Sequence, residues 1–232
     1  MMHVPASPGA AAPSPASLDP EPLLRGVIAD PERHGRFANT LSMLEYVGAR
    51  KILKSQAASS FTVELLAHAS EEMRHALSLK RLTLRLDPTL VGYAPGHLLC
   101  GEAAGRYMQR VDRQAEADLQ ADGSAEGRGL PWINYLYTTL LVEERAGSLY
   151  PVYARLLEPG GHASVIHAIM REEGSHLRQV VAHLVRDDPA GERRLERLRA
   201  AEALAFDEWL RALERAVLDS GPAEPVLQSE LP

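Results

Sequence analysis

The chain has 232 residues, enough for one domain with a substantial core, and 25 basic against 31 acidic residues leave a net charge of −6. That balance argues against bulk affinity for nucleic acid or an anionic membrane. A single cysteine, Cys100, excludes both a disulfide framework and a zinc or iron–sulfur site built from several thiolates.

Taken in chain order, residues 1–22 hold six of the 16 prolines, spaced by Ala, Ser and Gly. Such a segment buries too little apolar surface to offset its ordering entropy and reads as a flexible tail. Asp30-Pro31-Glu32 supplies a capping carboxylate, a proline at the first helical position and an acidic first turn. The helix it opens carries Phe37, Leu41, Leu44, Gly48 and Ile52 on one face and runs to about Ser55. Ser59 and Ser60 are candidate caps for the next helix, whose inner face reads Leu65, His68, Glu72, Ala76, Leu79. It should end before Asp87-Pro88, because the residue preceding a proline is driven out of the α region. A long connection, 90–130, holds one helix over about 97–120 and a turn-rich end over 121–129. Pro131 opens a helix with Leu136, Leu140, Gly147, Tyr150, Ala154 and Leu157 on its stripe, and Pro151 should kink it. After the turn at Glu158-Pro-Gly-Gly161, a fourth helix spans about 163–186 with Ile166, Ile169, Val180 and Leu184 inward. An arginine-rich fifth covers about 191–219, and 221–232 reads as a second tail.

No alternating β-branched run is long enough for a strand. The expected fold is all-α: a single helical domain over 23–220, made of two tight hairpins (31–86 and 131–186), a long crossover and an extra C-terminal helix. No run of eighteen apolar residues could span a bilayer, and the first residues lack the plan of a secretory signal, so a cytoplasmic protein with no membrane partner is expected.

The informative anomaly is acid where the helical pattern demands Leu. Glu45 lies between Leu41 and Ile52, Glu72 between His68 and Leu79, Glu143 between Leu140 and Gly147, and Glu173 between Ile169 and Val180. Buried unpaired carboxylates are costly, so four of them facing one core need a shared cation. Glu72-Met-Arg-His75 and Glu173-Gly-Ser-His176 are both Glu-x-x-His, each preceded by a further glutamate, Glu71 and Glu172. Residues i and i+3 share a helix face, so carboxylate and imidazole converge. Glu45 and Glu72 each stand twelve residues from the first turn, a leg of about 18 Å at the helical rise, which returns them to one level. The second hairpin closes less evenly on Glu143 and Glu173. The chain thus carries one unit twice: a helix with an inward Glu, a turn, then a helix with inward Glu-x-x-His. Four glutamates and two histidines on four helices make a paired metal site, and carboxylates completed by imidazoles suit iron and manganese. On register, Glu143 faces inward and its neighbour Glu144 is left on the flank, free to pair with an arginine. His68 and His183 lie on the ligand faces and read as satisfied core histidines, with hydrogen bonding to the ligands as the alternative, and Tyr150 reads as core packing, with a place lining the site as its alternative.

This order of Glu, Glu-x-x-His, Glu, Glu-x-x-His with a long crossover resembles the ferritin-like di-iron carboxylate superfamily, over about half of the chain. The resemblance implies two iron ions, with manganese as the alternative. Glu72 and Glu173 would bridge them, Glu45 and Glu143 would be terminal ligands, and His75 and His176 would take one ion each. It also implies dioxygen and an external electron donor as partners. The family oxidises iron for storage, removes peroxide or oxygen, or oxidises organic substrates. One cysteine excludes the four-cysteine domain of full-length rubrerythrins. The segment Leu141-Val-Glu-Glu-Arg-Ala-Gly-Ser-Leu-Tyr150 and the open crossover are similar to substrate-oxidising members such as aldehyde-deformylating oxygenases and tRNA hydroxylases, and the acidic charge counts against tRNA. The expectation is an oxidase or oxygenase acting on an unidentified small molecule, with the 90–130 insertion as a wall over its pocket and a homodimer left open as the assembly. Iron handling, peroxide scavenging and non-catalytic metal binding are the alternatives.

Overall fold

The structure, a computed structural model, describes residues 18–57, 60–121, 129–188 and 191–219. Among them it is all-helical, with no strand. Seven α-helices follow in order: α1 (Pro20–Ile28), α2 (Pro31–Ser55), α3 (Val63–Leu86), α4 (Gly101–Ala121), α5 (Gly129–Leu157), α6 (Ala163–Asp187) and α7 (Glu192–Leu218). No helix among the described residues is long and apolar enough to cross a membrane.

Local chemistry accounts for the boundaries. Asp30 caps α2 by accepting a hydrogen bond from the Arg33 amide at 3.0 Å, with Pro31 at the first helical position. α3 is capped by Thr62, whose hydroxyl accepts from the Leu65 amide at 3.3 Å. The expected caps differ: Ser60 lies outside the helix, and Ser59 lies outside the described residues, as do most of the turn-rich 121–129 segment and the segment 221–232. The tail expected over 1–22 ends too late. Asp19 and Pro20 start α1, an amphipathic helix that buries Leu24 and Val27 against α5, α7 and α2. Residues 1–17 lie outside the described residues.

The two hairpins are present, α2 packed along α3 and α5 along α6. Contacts of α3 with α6 and of α2 with α5 close the four into a ring. The crossover helix α4 and the C-terminal α7 pack on each other and both reach α5. α5 is therefore enclosed from several directions rather than along one stripe: Tyr135, Leu136, Tyr137, Leu140, Leu141 and Tyr153 are all buried. Gly147, expected on the inner stripe, is exposed, and so is Pro151. The helix runs through Pro151 to Leu157. The carbonyl left without a donor by a proline belongs to the residue four earlier, here Gly147, whose exposed position lets water take that carbonyl.

Candidate metal centre

All six residues singled out in the sequence meet inside the ring. Glu72, His75, Glu143, Glu173 and His176 are each 9 % exposed or less, and the Glu45 side chain is 11 % exposed. Candidate ligand atoms of Glu45, Glu72, His75 and Glu173 lie within 4.8 Å of one another, and so do those of His68, Glu72, Glu143 and His176. Glu72 belongs to both groups. Glu173 also spans them: its Oε1 is 2.9 Å from His75 Nδ1 and its Oε2 is 3.6 Å from His176 Nδ1. Beyond these, His75 Nδ1 lies 3.8 Å from Glu45 Oε2, and His176 Nδ1 lies 3.8 Å from Glu143 Oε1.

The glutamates that precede each Glu-x-x-His hold the imidazoles from outside, and they do so crosswise. Glu172 of α6 accepts from Nε2 of His75 on α3 at 2.8 Å, and Glu71 of α3 accepts from Nε2 of His176 on α6. Each ring is thereby fixed with Nδ1 turned inward, the arrangement by which outer carboxylates orient metal-ligating histidines. Tyr150 donates its hydroxyl proton to Glu45. Glu144 faces away and pairs with Arg199 of α7 at 2.8 Å, as its register implied. Gly48 of α2 leaves room for Glu72, since a Cβ there would stand 2.9 Å from its Oε2.

Sequence reasoning missed one member. His68, expected as a satisfied core residue, sits 3.1 Å from Glu72 Oε1 and 3.4 Å from Glu143 Oε1 through Nε2. Its spacing, one turn before Glu72 on the same face, carried that signal. His183, by contrast, stands outside both groups, beside Glu64 and Trp132.

Several inward atoms make no hydrogen bond although buried: His75 Nδ1, His176 Nδ1, both carboxylate oxygens of Glu143, and Glu173 Oε2. Buried polar groups are nearly always satisfied, so a cluster of orphaned acceptors fits a cation. The protonation balance agrees. Burial, then the charges of Glu72 and Glu173, drives the Glu45 carboxyl well above the usual carboxylate range. Burial together with Glu173, Glu72 and Glu45 does the same to Glu143. Glu72 is pushed up to about 7 by burial and by Glu173. Burial also opposes charge on Glu173, but the adjoining His176 and His75 imidazoles hold it down to about 2. Burial opposes the imidazolium forms too, yet Glu173, Glu45 and Glu172 raise His75 to about 9, and Glu173 with Glu71 raises His176 to about 9. In the absence of a metal, protons do the compensating.

A cavity of about 100 Å³, partly open to solvent, reaches this cluster: Glu45, Glu72, Glu143 and Glu173 all line it. Its remaining wall is mainly apolar and comes, apart from His68 of α3, from α2, α4, α5 and α7, including Leu41, Met108, Val142, Leu149, Phe206 and Trp209. Two cations also line it, and both are neutralised. Lys51 pairs with Asp112. Arg145 grips Glu202 through two nitrogens at 2.9 and 2.6 Å and lies 4.3 Å over the Phe206 ring, while Tyr107 donates to the same Glu202 at 2.8 Å.

Compared with protein-family models, curated proteins and solved structures, the chain matches none of them.

Proposed function

We propose that the chain is a ferritin-like di-metal carboxylate protein that uses dioxygen and an external electron donor to oxidise an apolar, uncharged small molecule. Two iron ions, or manganese in their place, are held by Glu45, Glu72, His75, Glu143, Glu173 and His176. The observation that carries the reading is the cavity: a mainly apolar chamber has the four clustered carboxylates in its wall, few polar groups converging in an apolar cleft as in small-molecule sites. Iron storage or metal buffering has no use for such a chamber. With both lining cations already paired, it offers no free positive charge to an anionic substrate.

Ferrous iron held by these residues would supply electrons to dioxygen, with the external donor replacing them. The chain's own residues prepare the site. Glu71 and Glu172 keep the imidazole Nδ1 atoms directed inward. Tyr150 fixes the Glu45 carboxylate by a hydrogen bond. Glu45, Glu72 and Glu143 give up their protons when cations enter, because a ligating carboxylate is deprotonated. Phe206, Trp209 and Met108 give the chamber an apolar wall against which an apolar molecule would lie beside the carboxylates.

Anaerobic loading with ferrous iron, elemental analysis and an oxygen electrode test the proposal. About two iron ions per chain are expected, with oxygen uptake that is coupled to product formation from an apolar substrate. Sustained ferrous oxidation into a growing mineral core within a many-subunit shell would replace this reading with iron handling, and iron content near zero would end it.

A further inference from the structure

The duplicated unit is not symmetric. One turn before Glu72, α3 carries His68; one turn before Glu173, α6 carries Ile169. Ile169 is an ordinary core residue, 1 % exposed. His68 is 6 % exposed, and its Nε2 approaches Oε1 of Glu72 and Oε1 of Glu143. Its ring lies 4.3 Å from the His176 ring, centroid to centroid, and its Nε2 shares with Glu72, Glu143 and His176 a space where all four ligand atoms are mutually within 4.8 Å. The outer nitrogen, Nδ1, is held by the Tyr135 hydroxyl at 2.6 Å. That is the plan of His75 and His176 with the ring turned over: one nitrogen fixed from outside, the other facing the orphaned oxygens of Glu143.

We infer that His68 is a seventh metal ligand, through Nε2, so that the two positions of the centre are chemically unequal. The inference rests on the reading that the cluster holds two metal ions. One position then has two imidazoles and the carboxylates of Glu72 and Glu143. The other has one imidazole, His75, with Glu45, Glu72 and Glu173. Ligated through Nε2, His68 carries its proton on Nδ1 and donates it to Tyr135, which sets its tautomer as outer partners do for metal-bound histidines. Imidazole-rich positions suit iron, zinc, copper and nickel, and carboxylate-rich ones suit manganese, so a late first-row ion fills the His68 position first.

The test uses cobalt(II) added to metal-free protein and followed by visible absorption, elemental analysis and proton NMR. Each ligating imidazole contributes one exchangeable, hyperfine-shifted N–H resonance from its outer nitrogen. All three outer nitrogens here are hydrogen-bonded, to Tyr135, Glu172 and Glu71, which slows exchange. Three such resonances are expected at two cobalt ions per chain, two of them leading during the first equivalent. His68→Gln should remove one of the leading pair and leave the His75 resonance in place. Should that variant not fold, the count in the unmodified protein decides alone. Two resonances at two bound cobalt ions, or three that rise in step from the first addition, overturn the inference while leaving the di-metal reading intact. No cobalt uptake at all overturns both.

Discussion

Two adjacent glutamates, Glu143 and Glu144, show how one helical step of about 100° separates a site from a surface. Glu143 is 6 % exposed with neither oxygen hydrogen-bonded, whereas Glu144 is gripped by Arg199. Replacing Glu143 by Leu should abolish one metal and, in metal-free protein, raise stability by about 1–3 kcal/mol, because an unsatisfied buried carboxyl is removed. Glu144→Gln should keep both metals and change stability by no more than about 1 kcal/mol, the usual worth of a partly exposed ion pair. Denaturant titration and elemental analysis of the two variants decide the matter; a metal lost with Glu144 and kept without Glu143 would show the register to be wrong by one residue. Gly48 offers a gentler probe. An alanine Cβ would stand 2.9 Å from Glu72 Oε2, so Gly48→Ala should leave helix α2 folded but displace the carboxylate common to both groups. Metal affinity should fall by about 10-fold or more, read by titration with cobalt, and unchanged affinity would show that Glu72 is free to sit elsewhere.

Elements were legible where local chemistry sets them. Asp30-Pro31 starts α2 and the Asp87-Pro88 pair follows the end of α3, as their chemistry requires. The inward Glu and Glu-x-x-His series converges because helical periodicity alone places those residues on buried faces. What escaped was mostly tertiary. α1 begins inside the proline-rich segment, where the composition hid Asp19-Pro20-Glu21, the same start chemistry as at α2, and the helix then packs on α5 and α7 through Leu24 and Val27. The stripe drawn along α5 included Gly147 because that register presumes a single buried face. With α1, α4 and α7 covering other sides, Tyr137 and Leu141, on the flank of Glu144, are buried as well. The crosswise bonds of Glu71 and Glu172, and the bond from Tyr150 to Glu45, join residues on different helices and have no local signature. The wall that α4 and α7 place over the carboxylates also makes a prediction at this scale. Met108→Trp should fill part of the chamber, with a stability change within about 1–3 kcal/mol, the range for overpacking. Iron content should stay the same and product formation should drop; a variant that turns over apolar substrates unimpaired would show that the chamber is not where they bind.

Over the whole molecule, the buried cluster ties folding to pH. Glu45, Glu72 and Glu143 titrate above the ordinary 4.5 in the folded state, Glu72 near 7. A raised folded value means that the folded protein holds protons the unfolded chain has released, so the stability they confer is complete below 4.5 and is lost as pH rises through the folded value. His75 and His176, raised from 6.5 to about 9, follow the same sign: their contribution is full below 6.5 and disappears as pH climbs through 9. Glu173 and His68 have the opposite sign. Glu173, lowered to about 2, contributes above 4.5 and fails as pH falls through 2. His68, lowered to about 4 by burial and by His176, contributes above 6.5 and fails as pH falls through 4. Between pH 6.5 and 9 the opposing pair is therefore constant, and only the first set changes. Metal-free protein should lose stability steadily across that interval. Cations replace the protons in the loaded protein, and since the ligands must then be deprotonated, metal affinity and with it apparent stability rise with pH over the same range. Thermal melts of metal-free and manganese-loaded protein, run in parallel from pH 6.5 to 9, should diverge, and loading in weak buffer should release protons. Curves that run parallel, with no proton release on loading, would mean that the cluster's ionisation is not exchanged for bound metal.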